Sequence, residues 1–315
     1  MIPKETKKIL QRQHYGLVGK HSAVQICRWT KKSLLDRGFC YKQQFYGINS
    51  HRCCQMTPAV MWCQNRCLHC WRAVELTAGL RIEAKEADKP LQIIKGCIEA
   101  QKKLLSGFKG NPSINRKKLY ESFEPAHFAI SLAGEPTIYP FIGELIKKLR
   151  QQKKTTFLVT NGLLPEKLKE LMKKDNLPTQ LYLSLNAPNK SLYQKFARPV
   201  VKKAWEKFNS TIKLFPHLNT RKVVRITLVR NINMSPFAAG SFAKLIKKAS
   251  PDFVEVKAFM SVGFARQRLS YEKMPLHSEI QKFSKRLSAL LKIPVLDEKA
   301  ESRVVLLGKE RALIR

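Results

Sequence analysis

The chain has 315 residues, 44% of them apolar, which allows one large hydrophobic core and is too apolar for a disordered protein. Lys and Arg number 59 against 23 Asp and Glu, so the formal net charge is +36 and a polyanionic partner is favoured. No apolar run approaches the roughly 20 residues that span a bilayer, and the N-terminus lacks the apolar core of a secretory signal. We therefore expect a cytoplasmic protein that binds nucleic acid and not a membrane.

From about residue 57, short runs rich in Val, Ile, Leu, Phe and Tyr alternate with amphipathic helical patterns. The predicted strands are 57–62, 126–132, 155–159, 180–185, 222–229 and 253–259. The predicted helices are 89–105, 140–151, 164–173, 201–214, 236–248 and 277–291. About six strand–helix units predict an α/β fold with a parallel sheet, which suits a partial barrel and also allows an open doubly wound sheet.

Residues 1–55 have a different texture, because they are polar, turn-rich and irregular, and they carry four cysteines. We expect them to form an N-terminal extension, with residues 56–315 forming the barrel and a basic surface. Residues 277–315 are predicted to contain one helix and one apolar run.

Polar motifs follow several predicted strands. Ala133-Gly134-Glu135-Pro136 follows the second strand, Thr160-Asn161-Gly162 follows the third, and Ser184 and Asn186 lie around the end of the fourth. In parallel α/β folds, ligand sites lie at the carboxyl ends of the strands. The sequence therefore predicts a binding site at this edge of the sheet.

Eight cysteines in a basic chain without a secretory signal favour metal binding or redox chemistry over a disulfide framework. Cys63, Cys67 and Cys70 have the spacing C-x3-C-x2-C and can converge on one metal group from a single loop. Cysteine thiolates are the usual ligands of iron–sulfur clusters, and three of them leave one iron open to a small molecule. Zinc is the alternative, but it normally takes four ligands, and His69 lies inside the loop between two thiolates.

A second set, Cys27, Cys40 and Cys53, lies upstream with thirteen residues from each cysteine to the next. The spacing has no intrinsic meaning, so ordinary buried cysteines are the alternative. Their position just before the first set favours a second three-cysteine cluster. Cys54 and Cys97 are expected to be structural.

The loop from Cys63 to Cys70, followed by Trp71, resembles the cluster motif of the radical S-adenosylmethionine superfamily. The segment from Ala133 to Pro136 resembles that superfamily's Gly-Gly-Glu-Pro motif, with Ala in place of the first Gly. The resemblance implies a partial (β/α)6 barrel, a 4Fe–4S cluster and bound S-adenosylmethionine, whose cleavage gives a 5′-deoxyadenosyl radical. We expect the cofactor to be contacted by Gly134, Glu135, Asn161, Ser184 and Asn186.

Over essentially its full length the chain is similar to archaeal members of the tRNA 4-demethylwyosine synthase family. The shared features are the Cys27/Cys40/Cys53 set, Cys40-Tyr41-Lys42, the cluster loop with Trp71, the basic loop near Gly110–Asn111 and the segment Ser261-Val-Gly-Phe-Ala-Arg266. The resemblance implies two 4Fe–4S clusters and a reaction of pyruvate with N1-methylguanosine at position 37 of tRNA-Phe. Lys42 is the expected catalytic residue, forming a Schiff base with pyruvate.

For contact with RNA phosphates we predict five basic residues, namely Arg116, Lys117, Lys118, Arg266 and Arg268. The family resemblance further implies an external electron donor of the flavodoxin or ferredoxin type, and we expect a monomer. Two alternatives stay open at this point. One is a tRNA methylthiotransferase, although residues 277–315 are too short for its β-barrel RNA-binding module. The other is a non-catalytic RNA-binding protein that carries zinc or a cluster.

Overall fold

The computed structural model describes residues 2–314 and, within them, eleven α-helices and ten strands. The strands are β1 (Gly16–Val18), β2 (Ser22–Gln25), β3 (Cys53–Thr57), β4 (His127–Ile130), β5 (Thr155–Thr160), β6 (Gln180–Ser184), β7 (Arg221–Leu228), β8 (Phe253–Ala258), β9 (Val295–Lys299) and β10 (Val304–Gly308). The helices are α1 (Lys4–Arg12), α2 (Arg28–Leu34), α3 (Tyr41–Tyr46), α4 (Pro90–Ser106), α5 (Arg116–Ser122), α6 (Ile142–Gln151), α7 (Pro165–Lys173), α8 (Lys190–Ala197), α9 (Ala204–Leu214), α10 (Pro236–Ala249) and α11 (His277–Leu291).

One sheet joins the ten described strands in the order β1-β2-β3-β4-β5-β6-β7-β8-β10-β9. The six strands from β3 to β8 are parallel, and helices connect each of them to the next. Antiparallel strands extend the sheet at both ends. Because β1 and β9 stand at opposite ends of this order, the barrel is partial, and the predicted partial (β/α)6 barrel is confirmed.

The two faces of the sheet have different partners. Leu181 and Val254 belong to the main apolar cluster formed with the helices α4, α6, α7, α9, α10 and α11. The alternate residues Tyr182 and Phe253 pack instead in a second apolar cluster with residues of α3. We call the face that packs on α3 the inner face. A short helix from the N-terminal region therefore fills part of the barrel interior.

The first predicted strand, 57–62, is wrong. The strand is β3, which ends at Thr57, and Pro58 follows it with no N–H to offer a neighbouring strand. Residues 58–62 instead form a turn in which Val60 N donates to His21 O and Trp62 N donates to Ala59 O. The consequence is that Cys53 lies on the first parallel strand and Cys63 lies six residues beyond its end.

Residues 1–55 are not irregular. They form α1, α2, α3, β1, β2 and the start of β3, and the two antiparallel strands belong to the main sheet. The predicted boundary between residues 55 and 56 falls within β3. The division into an N-terminal extension and a barrel stays a prediction. At the other end, the apolar run predicted after α11 is the hairpin of β9 and β10, which extends the main sheet and is not a separate module.

Candidate active site

The loop from Cys63 to Cys70 is fixed on two sides by backbone hydrogen bonds. Cys63 N donates to Gly79 O at 3.3 Å, and Leu68 N donates to Phe196 O, at the end of α8, at 3.0 Å. Directly after the loop, Phe264 N donates to Trp71 O at 3.0 Å. The segment Ser261–Arg266, which we singled out from the sequence, therefore packs against the end of the cysteine loop.

Arg268 also holds this loop, while its predicted contact with RNA stays a prediction. Its side chain is 8% exposed and its nitrogens are all engaged. Nε donates to Leu68 O at 3.2 Å, Nη2 donates to Cys70 O and Arg72 O, and Nη1 pairs with Glu75 at 2.8 Å. Four of the five guanidinium N–H groups are engaged in this way, so Arg268 acts as a structural clamp on the loop.

The three thiols of the loop lie close together in a buried setting. Burial raises the pKa of Cys63 to about 11, with Arg72 opposing the rise. Burial also raises the pKa of Cys67 well above its ordinary value, and the neighbouring thiols Cys70 and Cys63 raise it further. Ionising Cys63 and Cys67 is therefore costly unless positive charge compensates their thiolates, as iron ions do.

The polar groups around the loop fit a bound cofactor. Among residues 2–314, several buried side-chain nitrogens of this loop have no hydrogen-bond partner: Gln64 Nε2, His69 Nδ1, and Nε and Nη2 of Arg72. Leaving such groups unpaired is costly, so partners are expected from the group that the site binds. The donor set of three thiolates, with these groups beside it, fits a 4Fe–4S cluster and a small polar ligand.

The segment after β4 is built against the turn that leads into the loop. Gly134 has φ of +70°, and a Cβ there would lie 1.8 Å from Ala59 O, so only glycine fits. Glu135 N donates to Trp62 O at 2.7 Å. The Glu135 carboxylate accepts hydrogen bonds from Thr137 N, Thr137 Oγ1, Thr160 Oγ1 and Asn161 N. Glu135 therefore ties the end of β4 to the end of β5, and burial still raises its pKa.

The other predicted cofactor residues surround the same loop. Asn161 Nδ2 lies 3.8 Å from Cys63 Sγ and donates to Gln64 Oε1 at 3.1 Å. Asn186 Nδ2 lies 3.3 Å from His69 Nε2, and Ser184 ends β6 half-buried. The structure thus gathers the predicted residues at the carboxyl ends of β4, β5 and β6, where their contact with S-adenosylmethionine stays a prediction.

The second set of cysteines is assembled from three elements. Cys27 directly precedes α2, Cys40 directly precedes α3, and Cys53 is the first residue of β3. Burial raises the pKa of Cys40 to about 11, and the neighbouring Cys27 thiol adds to the rise. Burial raises the pKa of Cys53 to about 12. Lys42 opposes that rise, whereas Cys27 and Cys40 add to it. Three thiols separated in sequence are therefore neighbours in space, and as a donor set they fit a second cluster.

Positive side chains of the inner face lie beside this second set. Lys42 is 8% exposed, with Nζ 4.6 Å from the ring centre of Phe157 and 4.7 Å from that of Tyr182. Burial, followed by the charge of Arg225, lowers its pKa. Burial and Arg225 also lower the pKa of Lys257 to about 8. Both lysines therefore lose their protons more readily than a lysine in water does.

One buried carboxylate balances part of this charge. Glu255 is fully buried on β8, where it pairs with Arg225 Nε at 2.8 Å and accepts from Tyr46 Oη at 2.8 Å and Tyr41 Oη at 3.1 Å. Burial alone raises its pKa, but Arg225 and Lys42 outweigh burial and the net shift is downward. The network leaves Lys42 and Lys257 without a carboxylate of their own, so this interior attracts an anion.

No group of three His, Cys, Asp or Glu side chains within residues 2–314 is arranged to hold one metal ion. In the described part of the chain, no helix is both long and apolar enough to cross a membrane.

Comparison with known proteins bears on this arrangement. The family model of the radical SAM superfamily matches residues 58–239, and the model for wyosine base formation matches residues 248–309. An S-adenosyl-L-methionine-dependent tRNA 4-demethylwyosine synthase of Pyrococcus horikoshii is 46% identical over 98% of this chain and 90% of its own length. The enzyme of that name from Methanocaldococcus jannaschii is 37% identical over 100% and 99%. The chain belongs to the tRNA 4-demethylwyosine synthase family.

Two solved structures of this family resemble the chain throughout. Archaeal TYW1 has a TM-score of 0.80 and 34% identity, covering 100% of this chain and 99% of that one. A structure of TYW1 with a lysine–pyruvate adduct bound has a TM-score of 0.87 and 36% identity, covering 100% and 98%. As a member of the 4-demethylwyosine synthase family, the chain is a radical SAM enzyme that uses S-adenosylmethionine and a 4Fe–4S cluster.

Sequence reasoning missed four members of this 4-demethylwyosine synthase site: Arg72, Arg225, Glu255 and Lys257. Arg72 stands directly after the motif that we analysed. The other three interrupt apolar strands that we expected to be buried on both faces, and a charge inside such a strand is the signal that points to them. Which face they occupy depends on the register of β7 and β8, which only the structure supplies.

The remaining predicted RNA-binding residues lie on the surface. Arg116 and Lys117 are exposed on the first turn of α5. Lys118 is half-buried, with Nζ paired to Asp36. Arg266 is exposed and its Nε donates to Ser261 O at 2.9 Å. Their contact with RNA stays a prediction.

Proposed function

We propose that this chain converts N1-methylguanosine at position 37 of tRNA-Phe to 4-demethylwyosine, with pyruvate as the two-carbon donor. The observation that carries the proposal is the pair of cysteine sets, one in a loop typical of radical SAM enzymes and one beside a buried lysine. A member of the same family binds a lysine–pyruvate adduct, which supports the use of pyruvate.

Lys42 is the amine that we assign to pyruvate. Its Nζ attacks the keto carbon, and loss of one water leaves a C=N bond between lysine and substrate. The aromatic rings of Phe157 and Tyr182 keep water from the amine, and its lowered pKa keeps the nucleophilic form available. Lys257 Nζ donates one hydrogen bond to Ser302 O and has further N–H donors. Its positive charge would attract the pyruvate carboxylate.

The second 4Fe–4S cluster is assigned to Cys27, Cys40 and Cys53. Cys40 and Lys42 are two residues apart at the start of α3, so a cluster held by this set would bring its small-molecule ligand beside the lysine. Cys63, Cys67 and Cys70 would hold the other cluster, which together with S-adenosylmethionine would supply the radical chemistry at the N-methyl group of the base. Asn161, Asn186 and Glu135 fix the geometry of the first loop and the strand ends around it.

The nucleic-acid substrate must place one base inside the barrel. A base in a folded anticodon loop reaches a buried site only by leaving its stack, which single-stranded loops allow at low cost. The net charge of +36 favours the phosphate backbone at the surface. We further propose a monomer in the cytoplasm that receives electrons from a flavodoxin- or ferredoxin-type protein.

Reconstitution tests the proposal. The chain, loaded anaerobically with iron and sulfide, is incubated with N1-methylated tRNA-Phe, pyruvate, S-adenosylmethionine and dithionite, and the tRNA nucleosides are weighed by mass spectrometry. The expected product is the tricyclic base, and when the pyruvate is labelled with ¹³C the product should carry that label. A sulfur-bearing nucleoside would indicate a methylthiotransferase instead, and a protein that holds zinc and no iron would contradict the enzyme.

A further inference from the structure

Two partly exposed aromatic rings stand beside the second cysteine set. Trp29 is the second residue after Cys27, and Phe39 directly precedes Cys40. Phe39 is 37% exposed and Trp29 is half-buried on α2. Single exposed aromatic residues are common on protein surfaces, but these two differ because both lie next to ligands of the second set.

Cations surround both rings. Lys32 Nζ lies 5.3 Å and the Arg28 guanidinium 5.9 Å from the ring centre of Trp29. Lys299 lies between the two rings, 4.0 Å from the centre of Phe39 and 5.9 Å from that of Trp29. Lys299 is 8% exposed and its nearest carboxylate is Glu301, 3.8 Å away. We call these five residues, Arg28, Trp29, Lys32, Phe39 and Lys299, the Trp29 patch.

The Trp29 patch lies at the same level of the sheet as the reaction centre. Lys299 on β9 pairs with Val304 on β10, and Val304 pairs in turn with Lys257 on β8. Lys257 faces the second cysteine set, whose charges act on its pKa. Lys299 is thus level with Lys257, and the partly exposed rings of Phe39 and Trp29 form the rim of the reaction centre at the surface.

We propose that the Trp29 patch is the surface on which the anticodon loop of the RNA substrate rests, with bases that flank the target stacked on Trp29 and Phe39. The proposal rests on the proposed function, because the RNA is the substrate of that site. Aromatic faces bind unstacked bases, and neighbouring cations bind the phosphates between them. The target base itself enters the barrel, so the rings on the rim receive its neighbours.

Free charge supports an RNA occupant. Within residues 2–314, no carboxylate lies within salt-bridge distance of Arg28 or Lys32, whereas Lys118 nearby is paired with Asp36. Arg28 and Lys32 can therefore bind phosphate without first breaking an ion pair. An acidic electron-transfer protein would also be attracted here, but it would have no use for two aromatic faces beside the cations.

The test measures binding and turnover in Trp29→Ala and Phe39→Ala, each loaded with both clusters. We expect the Kd for an N1-methylated anticodon stem–loop to rise about 10- to 100-fold and KM to rise with it, while kcat stays within a few-fold. Trp29→Phe keeps a stacking face and should bind nearly as wild type. The matched control is Phe237→Ala, because Phe237 is an exposed aromatic residue, 78% accessible, at the start of α10; it should change neither constant.

A second measurement does not depend on a truncated side chain. The stem–loop should quench the tryptophan fluorescence of the wild type, and Trp29→Phe should abolish that change although three other tryptophans remain. Lys32→Gln should lower the slope of log Kd against log salt concentration by about 0.7. Visible absorbance and thermal unfolding confirm that each variant keeps its clusters and its fold.

The outcomes separate this inference from the proposed function. If both alanine variants bind RNA as tightly as the wild type, the proposed RNA contact is wrong, even if the wild type makes the tricyclic base. The variants could instead bind RNA normally and lose turnover only when a protein reductant replaces dithionite. That result would assign the patch to the electron donor and would also contradict the RNA contact. RNA binding that requires Trp29 in an enzyme that makes no tricyclic base keeps the patch and overturns the proposed reaction.

Discussion

The two cysteine sets of this molecule are built in opposite ways. Cys63, Cys67 and Cys70 lie in one loop, held by backbone hydrogen bonds to Gly79 and Phe196 and by the buried side chain of Arg268. Cys27, Cys40 and Cys53 come from the ends of three elements and meet because α3 packs on the inner face. A local set depends on its loop, whereas the distributed set depends on the fold of the whole barrel.

The charges beside the two sets differ as well. Beside the loop lies the guanidinium of Arg72, which is 3% exposed. The distributed set has Lys42 and Lys257, whose pKa values are lowered, so each of these lysines loses its proton more readily. A guanidinium binds anionic groups bidentately, and a deprotonated amine reacts with a carbonyl. The difference agrees with the proposed roles, which are cofactor binding at the first set and substrate chemistry at the second.

Removing one cysteine from each set should give the largest and the most distinct effects. Cys63→Ala should lose one cluster, all cleavage of S-adenosylmethionine and product formation, to below about a thousandth of the wild-type rate. Cys40→Ala should lose the other cluster and product formation but keep cleavage of S-adenosylmethionine to 5′-deoxyadenosine. Iron content and the two products, measured in the same reaction, check both statements.

Cys54 and Cys97 supply the control for this experiment. Both are fully buried and lie outside the two sets, so Cys54→Ala and Cys97→Ala should keep the iron content of the wild type. If Cys40→Ala retained all of its iron, the distributed set would not be a cluster site. The protein would then hold one cluster, and Cys27, Cys40 and Cys53 would be ordinary packing cysteines.

Lys42→Ala tests the chemistry of the second set without touching its ligands. Product formation should fall at least about 100-fold while iron content and cleavage of S-adenosylmethionine stay near the wild-type values. Borohydride should fix labelled pyruvate to the wild type and not to this variant. Lys257→Ala is the matched buried lysine, and its protein should still be labelled at Lys42. If the wild type were labelled at Lys257, the lysine that reacts with pyruvate would be Lys257 on β8 and not Lys42.

The first set could be predicted from the sequence because its ligands and their loop are contiguous. The strand pattern also placed Gly134, Asn161 and Asn186 at one edge of the sheet, because parallel strands share a direction. The convergence of Cys27, Cys40 and Cys53 was favoured by their position before the first set and by resemblance, but no spacing rule places α3 against the inner face. The clamp formed by Arg268 was missed for a related reason: in a chain with net charge +36, the sequence does not distinguish a buried arginine from an exposed one.

Gly134→Ala should disrupt the turn against which the first loop is built. The new Cβ would lie 1.8 Å from Ala59 O at a residue with φ of +70°, so we expect a loss of about 3 kcal/mol or more in the free energy of unfolding. Gly240→Ala is the control, because Gly240 lies within α10 and a Cβ there meets nothing within 4 Å. That variant should gain about 0.5–1 kcal/mol. Chemical denaturation of the two proteins measures both values, and equal effects would contradict the close packing at Gly134.

Arg268→Ala and Arg266→Ala separate the clamp of the first loop from the basic surface, two residues apart in sequence. Arg268→Ala leaves the backbone oxygens of Leu68, Cys70 and Arg72 without their donor, which should cost about 3 kcal/mol of unfolding free energy and speed the loss of iron from the first cluster in air. Iron at the Cys27/Cys40/Cys53 set should not be lost faster. Arg266→Ala should leave the unfolding free energy within about 0.5 kcal/mol and lower only the salt dependence of RNA binding. If Arg268→Ala instead lost RNA affinity and kept its full stability, Arg268 would be an RNA-binding residue and not a clamp of the loop.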